Sequence, residues 1–128
     1  MNVTRSQRSL YAVLIPLLAA PAGYAASATW NGTVDSLWSN AANWSASPVP
    51  GTGDTAMFNN AGGTSDVIDI GTGLILNSLI FDSAGAAAYT IGSGAVGSQT
   101  LTLNHGGGVA MNAGVGVSQL FNLSLIHI

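Results

Sequence analysis

The chain has 128 residues, 48% of them hydrophobic and only 5% charged, with a formal charge of −3. Its only basic side chains are Arg5 and Arg8; past them stand five carboxylates, Asp35, Asp54, Asp66, Asp69 and Asp82, and no fixed cation. That balance argues against nucleic acid, whose counterions only cationic groups displace, against an anionic membrane surface, and against a disordered chain, which combines high charge with low hydrophobicity.

In chain order, Arg5 and Arg8 precede an apolar run over residues 10–20, followed by Pro21, Gly23 and the small-residue stretch Ala25-Ala26-Ser27-Ala28. This is the three-part pattern of a secretory signal. The run is shorter than the ~20 apolar residues that a bilayer span needs. The spacing predicts a signal peptide over residues 1–28, with cleavage after Ala25 or Ala28, an exported protein, and a fold beginning near Trp30. No cysteine is present. Small exported domains usually rely on disulfides; here backbone pairing and stacking must take their place.

Residues 29–58 form a Trp-rich cap segment holding all 3 tryptophans, Trp30, Trp38 and Trp44. Asn31-Gly32, Asp35-Ser36 and Ser39-Asn40 are turn chemistry that breaks any continuous strand. The tryptophans then come from successive short pieces and converge on one plug, each able to bury roughly 150–250 Å². A plug suits the end of a stacked core, which otherwise leaves apolar surface and unpaired backbone in water. The competing reading is a carbohydrate-binding platform on Trp30, Trp38 and Trp44, with Asn31, Asn40 and Asn43 as the amides beside the rings. Residues 47–53 read as an extended stretch entering a turn. Thr55-Ala56-Met57-Phe58 reads as the first strand.

From Asp66 onward, apolar residues recur two apart: Ile68/Ile70, Leu79/Phe81, Tyr89/Ile91, Leu101/Leu103 and Val109/Met111. Period-two alternation puts each pair on one face of a strand. Between them lie glycine-rich turn segments at Gly71-Thr72-Gly73, Ser83-Ala84-Gly85, Gly92-Ser93-Gly94 and Gly106-Gly107-Gly108. Short, evenly spaced strands fit a parallel β-helix or a β-sandwich. Small aliphatic inward residues favour the β-helix, and so does the scarcity of Asn-Gly hairpin signals. Asn77, Asn104 and Asn112, near strand ends, are candidates for stacked amide ladders. The fold expected is all-β, a parallel β-helix whose first coils span residues 59–122, with the sandwich as the alternative.

The series WNGT, LWSNAANWS, PVPGTGDTAMFNN resembles the N-terminal region of proteins with autotransporter-associated β-strand repeats, which are exported bacterial surface proteins. Trp30, Trp38, Asn43, Trp44, Pro50, Gly51, Asp54 and Phe58 occupy the positions of that pattern. The pieces Asn77–Asp82, Tyr89–Gly92 and Leu101–Asn104 follow in its usual succession. The full repeat of that family, a glycine-threonine-glycine unit with a Leu-x-Leu strand, does not appear. The resemblance implies a right-handed β-helical solenoid, and the lead-in to a surface-exposed passenger with a structural or adhesive role. The partners it implies are further C-terminal repeats of the same chain, with surface glycans or other cells as targets.

Chemistry-bearing residues are sparse. Asp66 and Asp69 are three apart, which on a strand places them on opposite faces and does not make an acid/base pair. Asp54 fits an Asx-type turn better than a calcium site, because no glycine-aspartate nonapeptide repeat accompanies it. His105 stands before three glycines with no second ligand for a metal, and no lysine follows to complete a phosphate loop. The expectation is no enzyme, no cofactor and no metal. The last six residues, Leu123-Ser124-Leu125-Ile126-His127-Ile128, read as the translation of a transposon-end sequencing adapter, CTG TCT CTT ATA CAC ATC. They break the glycine-and-polar rhythm and are expected to be foreign to the gene, which gives His127 no functional weight.

Overall fold

The protein is described from a computed structural model, which covers residues 26–60, 62–63, 66–104 and 106–128. The predicted leader falls outside these residues up to Ala25, and His105 falls outside them as well. Among the described residues ten strands follow in chain order: β1 (Ser27–Thr29), β2 (Thr55–Phe58), β3 (Val67–Ile68), β4 (Gly73–Leu76), β5 (Ser78–Phe81), β6 (Thr90–Ile91), β7 (Thr100–Leu103), β8 (Val109–Met111), β9 (Leu120–Phe121) and β10 (Ser124–His127). Among the described residues the helical content is a single 3-10 turn, Ala41–Asn43.

Every strand pair is parallel. The first face stacks β1, β2, β5 and β8; the second stacks β3, β6 and β9; the third stacks β4, β7 and β10. From β2 onward each third strand returns to the face it left, one rung higher. The molecule is a β-solenoid of about four turns. The β-helix expectation holds and the sandwich does not, because a sandwich of hairpins requires antiparallel neighbours.

Register turns the apolar pairs into columns. Ala56 lies under Leu79 and Leu79 under Val109; Phe58 lies under Phe81 and Phe81 under Met111. Ile68, Ile91 and Phe121 form the column of the second face, through Ile68–Ile91 and Ile91–Phe121 pairing. Leu76 lies under Leu103 on the third. Leu79, Phe81, Leu101 and Leu103 are all buried, as alternation predicts. Phe58 and Phe81 stack with centroids 5.4 Å apart, and Tyr89 meets Phe58 edge-on at 4.9 Å. Pairs of this geometry add about 0.5–1.5 kcal/mol to what burial contributes.

Four strands, β1, β4, β9 and β10, are not among those predicted. β1 includes Ser27 and Ala28, residues assigned to the leader. β4 holds Leu74 and Leu76, in a glycine-free stretch that runs from Leu74 through Asn77 and Ser78 to Phe81. Val109 and Met111 have the predicted spacing but are 40% and 51% exposed, because they belong to the uppermost rung. Residues Ser124–His127 form β10 against β7, with all four side chains exposed. A short alternating apolar segment next to an open parallel edge needs no more than that edge to pair with it.

Candidate functional site

The cap segment gathers the most sequence-predicted residues in one place. Trp30, Trp38 and Trp44 are 0%, 3% and 5% exposed. Trp30 meets Trp44 edge-on at 5.2 Å, and Trp38 meets Trp44 edge-on at 4.5 Å. All three rings lie 6.2–6.3 Å from Phe58 of the first full coil. The Trp38 indole N–H donates to the Pro50 carbonyl and that of Trp44 to the Trp38 carbonyl. Trp30 Nε1 is buried without a partner.

The chain reaches this arrangement because one asparagine folds the cap loop around itself. Asn43 is 0% exposed. Its Oδ1 accepts from the Val34 and Asp35 amides, and its Nδ2 donates to Asp35 Oδ1 and the Leu37 carbonyl. Its own carbonyl accepts from Asn31 and Gly32. Asn40 caps the 3-10 turn through its side chain and donates to Asp35 Oδ2. The Asn40 side chain, the Leu37 amide and the Asn43 side chain together hold the Asp35 carboxyl below its ordinary pKa.

A sugar platform needs a ring face in solvent and free amides at its edge. Here the rings cover one another, and Asn43 and Asn40 are engaged inside the loop. The burial of all three rings favours the plug over the platform. What the arrangement does is close the lower end of the solenoid with indole surface.

The remaining candidates serve the coil corners. Asp54 closes the turn that precedes it rather than making the expected Asx turn: its Oδ2 accepts from Gly51, three residues back, and its Oδ1 from Ala26. Asp69 Oδ1 accepts from the Gly71 amide and from Gln99 Nε2 one coil above. Those two bonds, the Gly71 amide first, hold its carboxyl below the ordinary value. Asp66 flanks Tyr89, whose phenol is pushed up by burial and then by that carboxylate. Asp66 and Asp69 do not form a dyad: they work at different contacts. Among the described residues no three groups of metal-ligating type lie together.

A set of rungs escaped sequence reasoning. Asn112 Nδ2 donates to Asp82 Oδ1 one coil below, Gln119 Nε2 to the Ala87 carbonyl, and Asn122 Nδ2 to the Gly94 carbonyl. Gln99 and Gln119 also accept through Oε1, from the Ser93 and Tyr89 amides. An amide donates and accepts at once, so it ties two coils without bringing a charge into the stack. Asn77 and Asn104 follow the paired strands β4 and β7, but the expected amide ladder between them is not formed, because both Oδ1 atoms are buried without a partner; Asn112 pairs with an aspartate instead.

Comparison of the chain with family models, with curated proteins and with solved structures finds no match.

Proposed function

We propose that this chain is the N-terminal part of a secreted, surface-exposed β-helical protein of passenger type, with a structural or adhesive role. The observation that carries the reading is the sealed lower end, with Trp30, Trp38 and Trp44 all buried beneath Phe58. Repeat stacks need a terminal cap for solubility, and a capped first coil is what the leading end of a long solenoid requires. The coils above it are tied by backbone bonds and by side-chain amides, two of which donate to aspartates, with no ion pair among the described residues; such ties depend less on salt than ion pairs do. The order of motifs from Trp30 to Phe58, similar to that of autotransporter-associated repeat proteins, supports a place on a bacterial surface. The leader-like segment with Arg5 and Arg8 supports the export step. The role is mechanical and adhesive rather than catalytic, and its targets are surface glycans or other cells.

Staining of intact producing cells with an antibody raised against residues 26–122 tests this. Labelling before permeabilisation, removed by external protease, is expected. Labelling only after permeabilisation would overturn the reading.

A further inference from the structure

The three faces of the solenoid end differently at the bottom. On the first, β1 lies beneath β2. On the second, Leu37 bridges to Asp69, with the Trp38 amide donating to the Asp69 carbonyl and the Asp69 amide to that of Ser36. On the third, β4 pairs with β7 above, and no strand among the described residues lies below it. Alternate residues of a parallel strand turn their N–H and C=O to the same neighbour. Leu76 accepts from the Asn104 amide on the β7 side. By alternation Leu74 also faces β7, and the backbone groups of Gly73 and Ile75 face the open edge.

This edge carries none of the usual blunting devices, because β4 has neither a charge nor a proline. Ile75 is 44% exposed. A cleft of about 490 Å³ runs beside Gly73 and Leu74 of this strand, lined also by Trp38, Val49, Pro50 and Ile70. The far lip includes Val49 and Pro50, and Pro50 has no N–H with which to continue the ladder. The edge is left open by the residues that run past it. One carboxylate, Asp69, lines the cleft; Asp54 stands past the other end of β4, where its backbone carbonyl accepts from Asn77 and Ser78 while its carboxylate accepts from the Gly51 and Ala26 amides.

We propose that the open edge of β4 is a strand-addition site for an extended basic peptide, with an apolar side chain in the Trp38–Leu74 cleft and cationic residues near Asp69 and Asp54. Main-chain bonds to Gly73 and Ile75 supply the affinity, and the cleft and the carboxylates select the sequence. Charge complementarity decides the occupant. A second copy would bring aspartates against aspartates, since the described residues contain no lysine or arginine. The site is independent of the surface-protein reading and stands if that reading fails.

The test uses the full chain, isotopically labelled for amide spectra, and a blocked synthetic peptide, Lys-Thr-Leu-Thr-Leu-Lys. Its centre copies β7, the strand that already pairs with β4. The peptide is expected to bind saturably and to slow hydrogen exchange at Ile75 by about ten-fold or more. Methylation of alternate peptide nitrogens, or glutamate in place of both lysines, is expected to weaken binding by about ten-fold. Ile75→Pro should abolish binding while leaving exchange in β7 unchanged, because the Ile75 amide makes no bond to β7. Failure to bind, equal binding of the methylated or glutamate peptide, or protection confined to β8, β9 and β10 would each overturn the site. Self-association through Ile75 without peptide would overturn the choice of occupant.

Discussion

The Trp44 indole N–H donates to the Trp38 carbonyl at 2.8 Å, and the two rings meet edge to face with centroids 4.5 Å apart. One residue thus supplies both the polar and the apolar half of the plug contact. Trp44→Ala deletes a large buried ring and leaves the Trp38 carbonyl without this donor. The expected loss is about 3–5 kcal/mol, read from urea unfolding. The wild-type protein should show blue-shifted tryptophan emission that soluble glycans leave unchanged. A near-zero loss together with glycan-responsive emission would return the cap to the sugar-platform reading.

The second prediction concerns the start of the exported chain. The Ala26 amide lies 2.7 Å from Asp54 Oδ1, and the Ala26 carbonyl accepts from Thr55. Cleavage after Ala25 would keep both bonds and turn the first into a charge-assisted contact, because the new terminal ammonium would face a carboxylate. Cleavage after Ala28 would remove Ser27 and Ala28 from β1. N-terminal sequencing of exported protein should therefore begin at Ala26, and a chain beginning at Thr29 would contradict the role given to β1.

Acid should loosen the cap and one corner. Asp35 and Asp69 both have carboxyls held below the ordinary value of 3.8, by Asn40 and by the Gly71 amide respectively as the largest causes. A depressed folded-state pKa means that the unfolded chain takes up protons first. The stabilisation is complete above the ordinary value and is lost as pH falls through the lower, folded one. Both groups are open to solvent, so the effect is small. Denaturant midpoints should be flat from neutral pH to about pH 5 and fall below pH 4. Asp69→Asn should flatten that fall in part; an acid limb unchanged in both Asp35→Asn and Asp69→Asn would refute the assignment.

The sequence announced the rungs but not the faces on which they lie. Leu79/Phe81 and Leu101/Leu103 were legible because alternation at period two with glycine on either side has few other meanings. β4 was hidden because Leu74-Ile75-Leu76 runs through Asn77 into Ser78-Leu79-Ile80-Phe81 without a glycine. The corner there is made by one asparagine, whose amide bonds the Asp54 carbonyl. β1 was hidden because Ala26, Ser27 and Ala28 also satisfy a cleavage site. The convergence of the tryptophans could be read from turn residues, but the hub at Asn43 could not, since its partners Val34 and Asp35 lie in another turn of the loop. The edge cleft beside Trp38 depends on there being no rung among the described residues under β4, which no local pattern encodes.

The final prediction sets two adjacent glycines against each other. Gly107 lies in the turn from β7 to β8, and its amide donates to the Asn104 carbonyl. A Cβ at Gly107 would collide with the carbonyl and the side-chain oxygen of Asn77 in the coil below, whereas a Cβ at Gly108 would meet nothing within 4 Å. Neither position has the positive φ that alone would exclude alanine, so space is the difference between them. Gly107→Ala must push the turn off the coil below, and the obstacle includes main chain, which gives way less readily than a flexible side chain. Its expected cost is about 1–3 kcal/mol, the range for overpacking. Gly108→Ala should lie within about 0.5 kcal/mol of wild type, or gain slightly from a stiffer unfolded chain. Denaturant melts of both variants under one condition decide the matter. Equal losses would mean that the turn is sensitive to any side chain and that close approach to Asn77 does not set the spacing of the coils.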